Sequence, residues 1–262
     1  MSSSKTALVT GAYGEIGKAI CRQLAEKDYN VIMIGKDESA LKSAAEAIEK
    51  QTKNANIRYI KVDLSRKSTI REFAEQWQGK IDLLINNAAT TPKHPIDSLE
   101  GVETQWATNV LGYYRMMKYL SPYMESSDDP RNVNVASYWA GGLDLDDPEF
   151  RNRYYDNDTA YRQSKQADRM LSAAFAQKLK EKGITVNAVH PGDVNSKLSN
   201  SLGYGGHESP DQGADTPVWV ATAPELKGVS GKYFEHRQET TDQFSLEEER
   251  VQRLVNLCES YE

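Results

Sequence analysis

Short apolar runs alternate with amphipathic stretches from the beginning of the chain. Lys5 to Thr10 reads as a buried strand, and Ile16, Ala19, Ile20 and Leu24 then share one helical face. Val31 to Ile34 is the second strand. A helix carrying Leu41, Ala44, Ala45 and Ile48 follows it, then a strand from Ile57 to Val62. A helix with Ile70, Phe73 and Trp77 leads into the strand Ile81 to Ile85. A long helix is expected from about Ser98 to Met124, then a strand from Arg131 to Ala136. A helix running through Tyr161, Leu171, Phe175 and Leu179 comes before the strand Ile184 to Val189. Strands separated by helices are the pattern of crossover units that build an open parallel sheet, so the fold class expected is α/β.

In such a sheet, ligands bind at the carboxyl ends of the strands, and that edge collects the polar motifs. After the first strand comes Gly11-Ala12-Tyr13-Gly14-Glu15-Ile16-Gly17, where glycines permit a sharp turn and close approach of a pyrophosphate to a helix N-terminus. The second strand ends in Gly35-Lys36, with no carboxylate at its tip to grip the ribose hydroxyls of NAD. Lys36 is read either as a contact to the 2′-phosphate of NADP or as a solvated side chain, and Asp37 as the cap of the next helix. Asp63-Leu64 and Asn86-Asn87-Ala88-Ala89 end the next two strands. For Asp63 the alternative is a helix cap, and for Asn86 and Asn87 turn chemistry. Asn109 is expected mid-helix among apolar and aromatic residues, where a poor helix former suggests an amide holding something buried. Tyr161 and Lys165 are one helical turn apart, so phenol and ammonium share a face, close enough for the cation to favour phenolate.

Composition narrows the classes. Of 262 residues, 27% are charged and the net charge is −6, without basic tracts, which argues against binding nucleic acid or an anionic membrane surface. No run is long enough to span a bilayer, and the polar start leads straight into a strand without a signal segment. Cys21 and Cys258 show neither a disulfide framework nor metal-ligand spacing, and no metal site is expected. The reading is a cytoplasmic protein with reduced thiols.

Taken in order, TGAYGEIG, DL, NNAA, WATNVLG, NVAS, YRQSK and HPGDVNS resemble the motifs of the short-chain dehydrogenase/reductase family, over nearly the whole chain. The resemblance implies one Rossmann-like domain over residues 1 to 262, a doubly wound parallel sheet with helices on both faces. It also implies a nicotinamide cofactor, with NADP(H) expected over NAD(H), and a small-molecule carbonyl or alcohol as substrate. The proton relay carries over as Asn109, Ser137, Tyr161 and Lys165. Tyr161 would donate the proton, Ser137 hydrogen-bond the same oxygen, Lys165 bind the nicotinamide ribose and, with the oxidised nicotinamide, favour phenolate, and Asn109 hold a water linking Lys165 to solvent. Cofactor-facing positions are Gly11, Tyr13, Gly14, Glu15, Ile16, Gly17, Lys36, Asp63, Leu64, Asn87, Ala88, Tyr161, Lys165, Pro191, Gly192, Val194 and Ser196. Of these, Asp63 and Asn87 lie toward the adenine and ribose, and Pro191, Gly192 and Ser196 toward the nicotinamide.

Three departures shape the expectation. The glycines fall at Gly11, Gly14 and Gly17 with Glu15 between them, a spacing similar to extended family members that epimerise or dehydrate nucleotide sugars. Ala89 stands where glycine is common. The gap from Ser137 to Tyr161 is wide and resembles the carbonyl reductase and retinol dehydrogenase-like branches, as does the run TAPELKGVSGKYF. An epimerase or dehydratase is therefore the alternative within the family, and a nonenzymatic NADP-binding sensor or scaffold the alternative outside it. The segment 138–160 is read as a surface excursion with a short helix, or as bringing Trp139 or Tyr155 over the substrate. Residues 195–215 are read as a lid or an ordinary loop, with His207 solvated. Ser245 and Glu248 form a capping-box pattern for a C-terminal helix over 245–261, which packs on the domain or mediates subunit contact, so a homo-oligomer stays open.

Overall fold

The computed structural model describes residues 4–262; the polar start at residues 1–3 lies outside them. The strands are β1 (Thr6–Thr10), β2 (Asn30–Gly35), β3 (Ile57–Lys61), β4 (Leu83–Asn86), β5 (Arg131–Val135), β6 (Thr185–Val189), β7 (Tyr233–Glu235) and β8 (Gln238–Thr240). Between and after them run α1 (Glu15–Ala25), α2 (Glu38–Thr52), α3 (Lys67–Gln76), α4 (Gly112–Leu120), α5 (Asn157–Lys178), α6 (Lys197–Ser201), α7 (Pro210–Thr222) and α8 (Glu248–Ser260). The sheet order is β3-β2-β1-β4-β5-β6-β7-β8, parallel except for β8, which pairs antiparallel with β7. Chain order reverses at β1, whose neighbours are β2 and β4. A crevice therefore opens at the carboxyl ends of these strands, the place where an open α/β sheet binds ligands.

Strand side chains alternate between two cores, as the period of two requires. Leu8, Ile32, Ile34 and Leu84 face a core built by α3, α4, α5 and α8. Ala7, Val9, Val31, Met33 and Ile85 face the other, built by α1, α2 and α7. Helices thus cover both faces of one sheet, and apolar runs without polar alternation are what this burial demands. The expected single-domain, doubly wound α/β fold is the one observed.

The long helix expected from Ser98 to Met124 is shorter. Ser98 opens a turn (its N–H donates to the Val102 carbonyl, 2.7 Å), and Asp97 bridges Glu103. The Glu103 carboxylate then accepts the N–H groups of Gln105 (2.9 Å) and Trp106 (2.7 Å) and so starts the helix itself. A π-helical segment, Trp106–Leu111, runs into α4. Asp63 does not cap α3 either: its carboxylate accepts the N–H and hydroxyl of Ser65 in a local turn. The cap comes from Glu100, far along the chain, which accepts the N–H groups of Lys67 (2.6 Å) and Ser68 (3.1 Å).

In the excursion no helix forms before α5 begins at Asn157. The capping box at Ser245 is also absent. Its hydroxyl donates to the Asp242 carbonyl (2.8 Å), because Asp242 already caps a short 3-10 turn there. Helix α8 buries Val251, Leu254 and Cys258 against its own domain. Each large apolar side chain so buried contributes on the order of 2 kcal/mol, whereas an exposed ion pair such as Lys118–Glu259 adds under about 1 kcal/mol. The apolar stripe decides where this helix sits. Among the described residues no helix is long and apolar enough to cross a membrane.

Candidate active site

The turn after β1 can be built only with glycine at two of its positions. Gly11 has φ +63°, and a Cβ on it would meet the Ala88 Cα at 2.7 Å; one on Gly17 would meet the Gly11 carbonyl oxygen at 2.2 Å. These contacts bring α1 against the turn and the turn against β4. Asn87 ties them together, its amide donating to the Thr10 carbonyl (3.0 Å) while its backbone N–H donates to the Thr10 hydroxyl (2.9 Å). Gly14 precedes α1 in extended conformation and no described side chain caps the helix, which leaves its first N–H groups for an anion.

A cleft of about 560 Å³ opens over this turn, lined by Gly11, Tyr13, Gly14, Glu15, Ile16 and Gly17, by Lys36, Asp63 and Leu64, and by Asn87, Ala88 and Ser196. These twelve expected cofactor positions therefore share one cavity. The Tyr13 ring covers Gly35, where a Cβ would meet its Cε1 at 2.5 Å. Burial raises the Tyr13 phenol, and the charges of Asp37 and Asp63 raise it further. Asp37 caps α2 by accepting the Ala40 N–H (2.9 Å), as expected. Lys36 is exposed and has no ion-pair partner among the described residues. The uncapped helix and the close-packed glycines fit the pyrophosphate of a dinucleotide.

A second cleft of about 400 Å³ joins the first through Ile16, Ser196 and Leu198, which line both. Its walls include Ser137, Tyr161, Pro191, Gly192 and Val194. Ser137 follows β5, and Tyr161 lies in the second turn of α5, which Asp156 caps by accepting the Thr159 N–H (2.8 Å). Both side chains line this cleft, and the Ser137 hydroxyl accepts the Trp139 N–H (3.1 Å). Burial raises the Tyr161 phenol well above its ordinary range; Ser137 lowers it, and the charges of Asp168 and Asp158 raise it.

A glycine turn opening a parallel sheet, with Ser137 and Tyr161 on the wall of the adjoining cleft, is the arrangement that the sequence motifs implied. Residues 5–204 match the family model described as short chain dehydrogenase. The chain belongs to the short-chain dehydrogenase family. Retinol dehydrogenase 13 of Mus musculus is 32% identical to it, over 96% of this chain and 81% of that protein. Human polyprenol dehydrogenase is 28% identical over 90% of this chain and 78% of its own. A crystal structure of an uncharacterised Mycobacterium paratuberculosis protein superimposes with a TM-score of 0.82 at 26% identity, covering 98% and 92% of the two chains.

In this short-chain dehydrogenase the other two relay positions lie behind the cleft wall. Lys165 is buried, and its Nζ donates to the Val135 carbonyl and to Asp168 Oδ2, both at 2.9 Å. It lies 5.8 Å from the Tyr161 ring centroid and 4.9 Å from that of Tyr113. The ammonium shares a helix face with Tyr161 as expected, and its closest charged group is the Asp168 carboxylate. Asn109 sits in the π-helical segment, whose extra residue per turn re-aims side chains. Its Oδ1 accepts the Thr90 N–H (2.9 Å), and its Nδ2 donates to the Thr90 carbonyl (3.1 Å) and the Ser164 hydroxyl (3.2 Å). The amide thus braces the loop after β4 against α5 and does not touch Lys165.

The excursion reaches the second cleft through one of its two proposed aromatics. Trp139 lines the second cleft. Tyr155 is instead a strut, its hydroxyl donating to the Pro92 carbonyl (2.8 Å) and accepting from Gln105 Nε2 (2.9 Å). Residues 195–215 form α6 and the start of α7, each opened by a capping box at Ser196 and Ser209. His207 is exposed at the cleft rim.

Several lining residues went unforeseen. Lys18 and Lys197 add positive charge to the first cleft, and Tyr138, His190, Leu202 and Tyr204 line the second. Burial lowers His190 to about 4, so it is neutral at ordinary pH. Lys18, in the first turns of α1 on the face of Glu15, was legible from helical spacing. Tyr204 had no signal, because it reaches the cleft only through the fold of α6.

Proposed function

We propose that this short-chain dehydrogenase uses NADP(H) to interconvert a carbonyl compound and its alcohol, with Tyr161 as general acid and base. The observation that carries the reading is that Ser137 and Tyr161 both line a cleft continuous with the one over the glycine turn. When bound, the nicotinamide supplies or accepts the hydride. Gly11, Gly14, Glu15, Ile16 and Gly17 would hold the pyrophosphate on backbone groups, with Asp63, Leu64, Asn87 and Ala88 on the adenosine side. Pro191, Gly192, Val194 and Ser196 would hold the nicotinamide end. Lys36 would meet the 2′-phosphate; its cleft position without an ion-pair partner supports that, as does Asp37 serving the helix cap instead of the strand tip. Ser137 would orient the substrate oxygen, and Tyr161 would give it a proton in reduction and withdraw one in oxidation.

Val194, Leu198, Leu202, Trp139 and Tyr204 make the second cleft apolar, which supports an apolar aldehyde or ketone, or the matching alcohol, as substrate. The names of the retinol and polyprenol dehydrogenase relatives support the same class. The nucleotide-sugar alternative is less well supported, because the described residues after Lys165 build β6, β7, β8 and their helices onto the one sheet. Two buried, unpaired cysteines suit the reducing cytosol in which we place the protein.

The test is absorbance of NADPH and NADH with a panel of apolar carbonyls, for wild type and Tyr161→Phe. Wild type should consume NADPH. The variant should lose at least about a thousandfold in turnover while binding cofactor nearly as before. Retained turnover in Tyr161→Phe would sink the mechanism.

A further inference from the structure

A third cavity, of about 240 Å³, lies at the carboxyl ends of β6 and β7 and joins the second cleft through Tyr138, His190 and Asp193, which line both. The carboxylates of Asp193, Glu208 and Glu235 line it, with His207 and His236 beside them and neither lysine nor arginine. Tyr138 occupies Asp193, donating its hydroxyl to both carboxylate oxygens (2.9 and 3.1 Å). Glu208 is left differently. Among the described residues, the group placed to pair with it is His236 Nδ1, 4.0 Å from Oε1, while its Oε2 is buried without a hydrogen-bond partner.

The chain holds that carboxylate in place. Glu208 bridges Val194, its N–H donates to the Asp193 carbonyl, and its own carbonyl accepts the Asn195 N–H, both at 3.0 Å. The side chain lies against Gly192, where a Cβ would meet Oε2 at 1.9 Å, so the orphaned oxygen sits beside the loop given above to the nicotinamide end. His190 is fixed as well. It is 4% exposed, its N–H donates to the Phe234 carbonyl (2.8 Å), its ring packs edge-on with that of Tyr138, and its Nδ1 also has no partner among the described residues.

Two buried polar atoms without partners on one cavity are unfavourable unless a ligand meets them. A carboxylate oxygen only accepts, and an imidazole kept neutral by burial accepts at one of its nitrogens, so the partner that suits both is a donor with positive charge. Among the described residues no three His, Cys, Asp or Glu side chains are grouped to hold a metal ion, which leaves an organic cation.

Resting on the reaction proposed above and narrowing its substrate, we propose that this cavity binds a protonated amine at the end of the substrate remote from its carbonyl. The apolar body of such an amino ketone or amino aldehyde lies along Trp139 and Tyr204, and its carbonyl reaches Ser137 and Tyr161. The ammonium donates to Glu208 Oε2 and His190 Nδ1, and Glu235 adds charge of the right sign.

Equilibrium binding tests this. Isothermal titration calorimetry on the full chain at pH 7 compares phenylbutylammonium with phenylbutanol, which share an apolar body and differ in the charge. The ammonium should bind wild type about 10- to 100-fold more tightly, as one hydrogen bond to a charged group allows. In Glu208→Gln, which keeps the shape without the charge, that preference should fall below about threefold. In Glu46→Gln, which removes an exposed acid of α2, it should persist. Equal binding of the two probes by wild type overturns the proposal whether or not any variant folds. A preference kept in Glu208→Gln, or lost equally in Glu46→Gln, also overturns it. Because the titration involves no turnover, a chain that holds the ammonium through Glu208 and reduces no carbonyl would overturn the reaction and leave the amine site standing.

Discussion

Trp139, from the excursion after β5, stacks on Tyr204, from the segment after α6, with ring centroids 5.2 Å apart and planes 17° from parallel. The pair joins two segments that are distant in sequence and forms one side of the second cleft. Tyr138 packs beside it, 4.8 Å from Trp139, and its hydroxyl donates to Asp193 (2.9 Å). The aromatic wall is thereby anchored to the loop that carries Gly192.

An aromatic pair of this kind is worth about 0.5 to 1.5 kcal/mol beyond its buried area. Trp139→Ala and Tyr204→Ala should each lower kcat/KM for bulky apolar carbonyls by roughly 3- to 10-fold, with cofactor affinity unchanged. The double variant should lose less than the product of the singles, since both remove the same contact. Steady-state kinetics on the four proteins checks this; strictly multiplicative losses would show that the rings act independently.

Lys36→Asp should raise the KM for NADPH by about 10- to 100-fold, the worth of one hydrogen bond to a charged group, while leaving that for NADH the same or lower. Wild type that uses NADH as readily as NADPH would overturn the role given to Lys36.

Gly17→Ala places a methyl 2.2 Å from the Gly11 carbonyl oxygen, a backbone atom that can yield only if α1 shifts off the turn. The variant should lose about 1 to 3 kcal/mol of stability and should bind the dinucleotide more weakly. Urea denaturation and cofactor fluorescence titration report the two effects.

Glu100→Gln removes the charge from the cap of α3 and should cost about 1 kcal/mol in urea denaturation at pH 7. Partial burial raises the Glu100 carboxyl, but the Ser68 and Lys67 N–H groups outweigh it and hold it below the ordinary carboxylate range. A depressed folded-state value means that its stabilisation is present above the ordinary carboxylate range and disappears as pH falls through the folded-state value. The stability gap between wild type and variant should therefore close in acid. A gap that stayed constant from pH 7 to pH 3 would contradict the assignment.

Much of this architecture was legible because it rests on short-range regularities. Buried strands need continuous apolar runs, and helices between them need one apolar stripe, so the order of β1 through β6 and α1 through α5 could be read directly. The glycine turn was legible for the same reason: Gly11 and Gly17 are required by backbone contacts within a few residues and at the neighbouring strand end. Tyr161 and Lys165 share a face by helical spacing alone, and Ser137 reaches the edge of the sheet by ending β5.

What the sequence left open are choices among partners. Glu100 and Asp63 are both acids able to cap α3, and only the packing of the loop after β4 brings Glu100 to the Lys67 and Ser68 N–H groups. Trp139 and Tyr155 were equal candidates for the substrate wall until the fold turned Tyr155 toward Pro92. Asn109 was legible only as an amide holding something buried, and the fold is what brings Thr90 and Ser164 to it. By itself, then, the sequence determined the strand and helix order, the dinucleotide turn and the placing of Tyr161 and Lys165 on one helical face. The tertiary structure alone decided that the Lys165 ammonium is buried against a carbonyl of β5. Helical spacing sets which side chains share a face, but the strength of a charge depends on burial and on groups contributed from elsewhere in the chain.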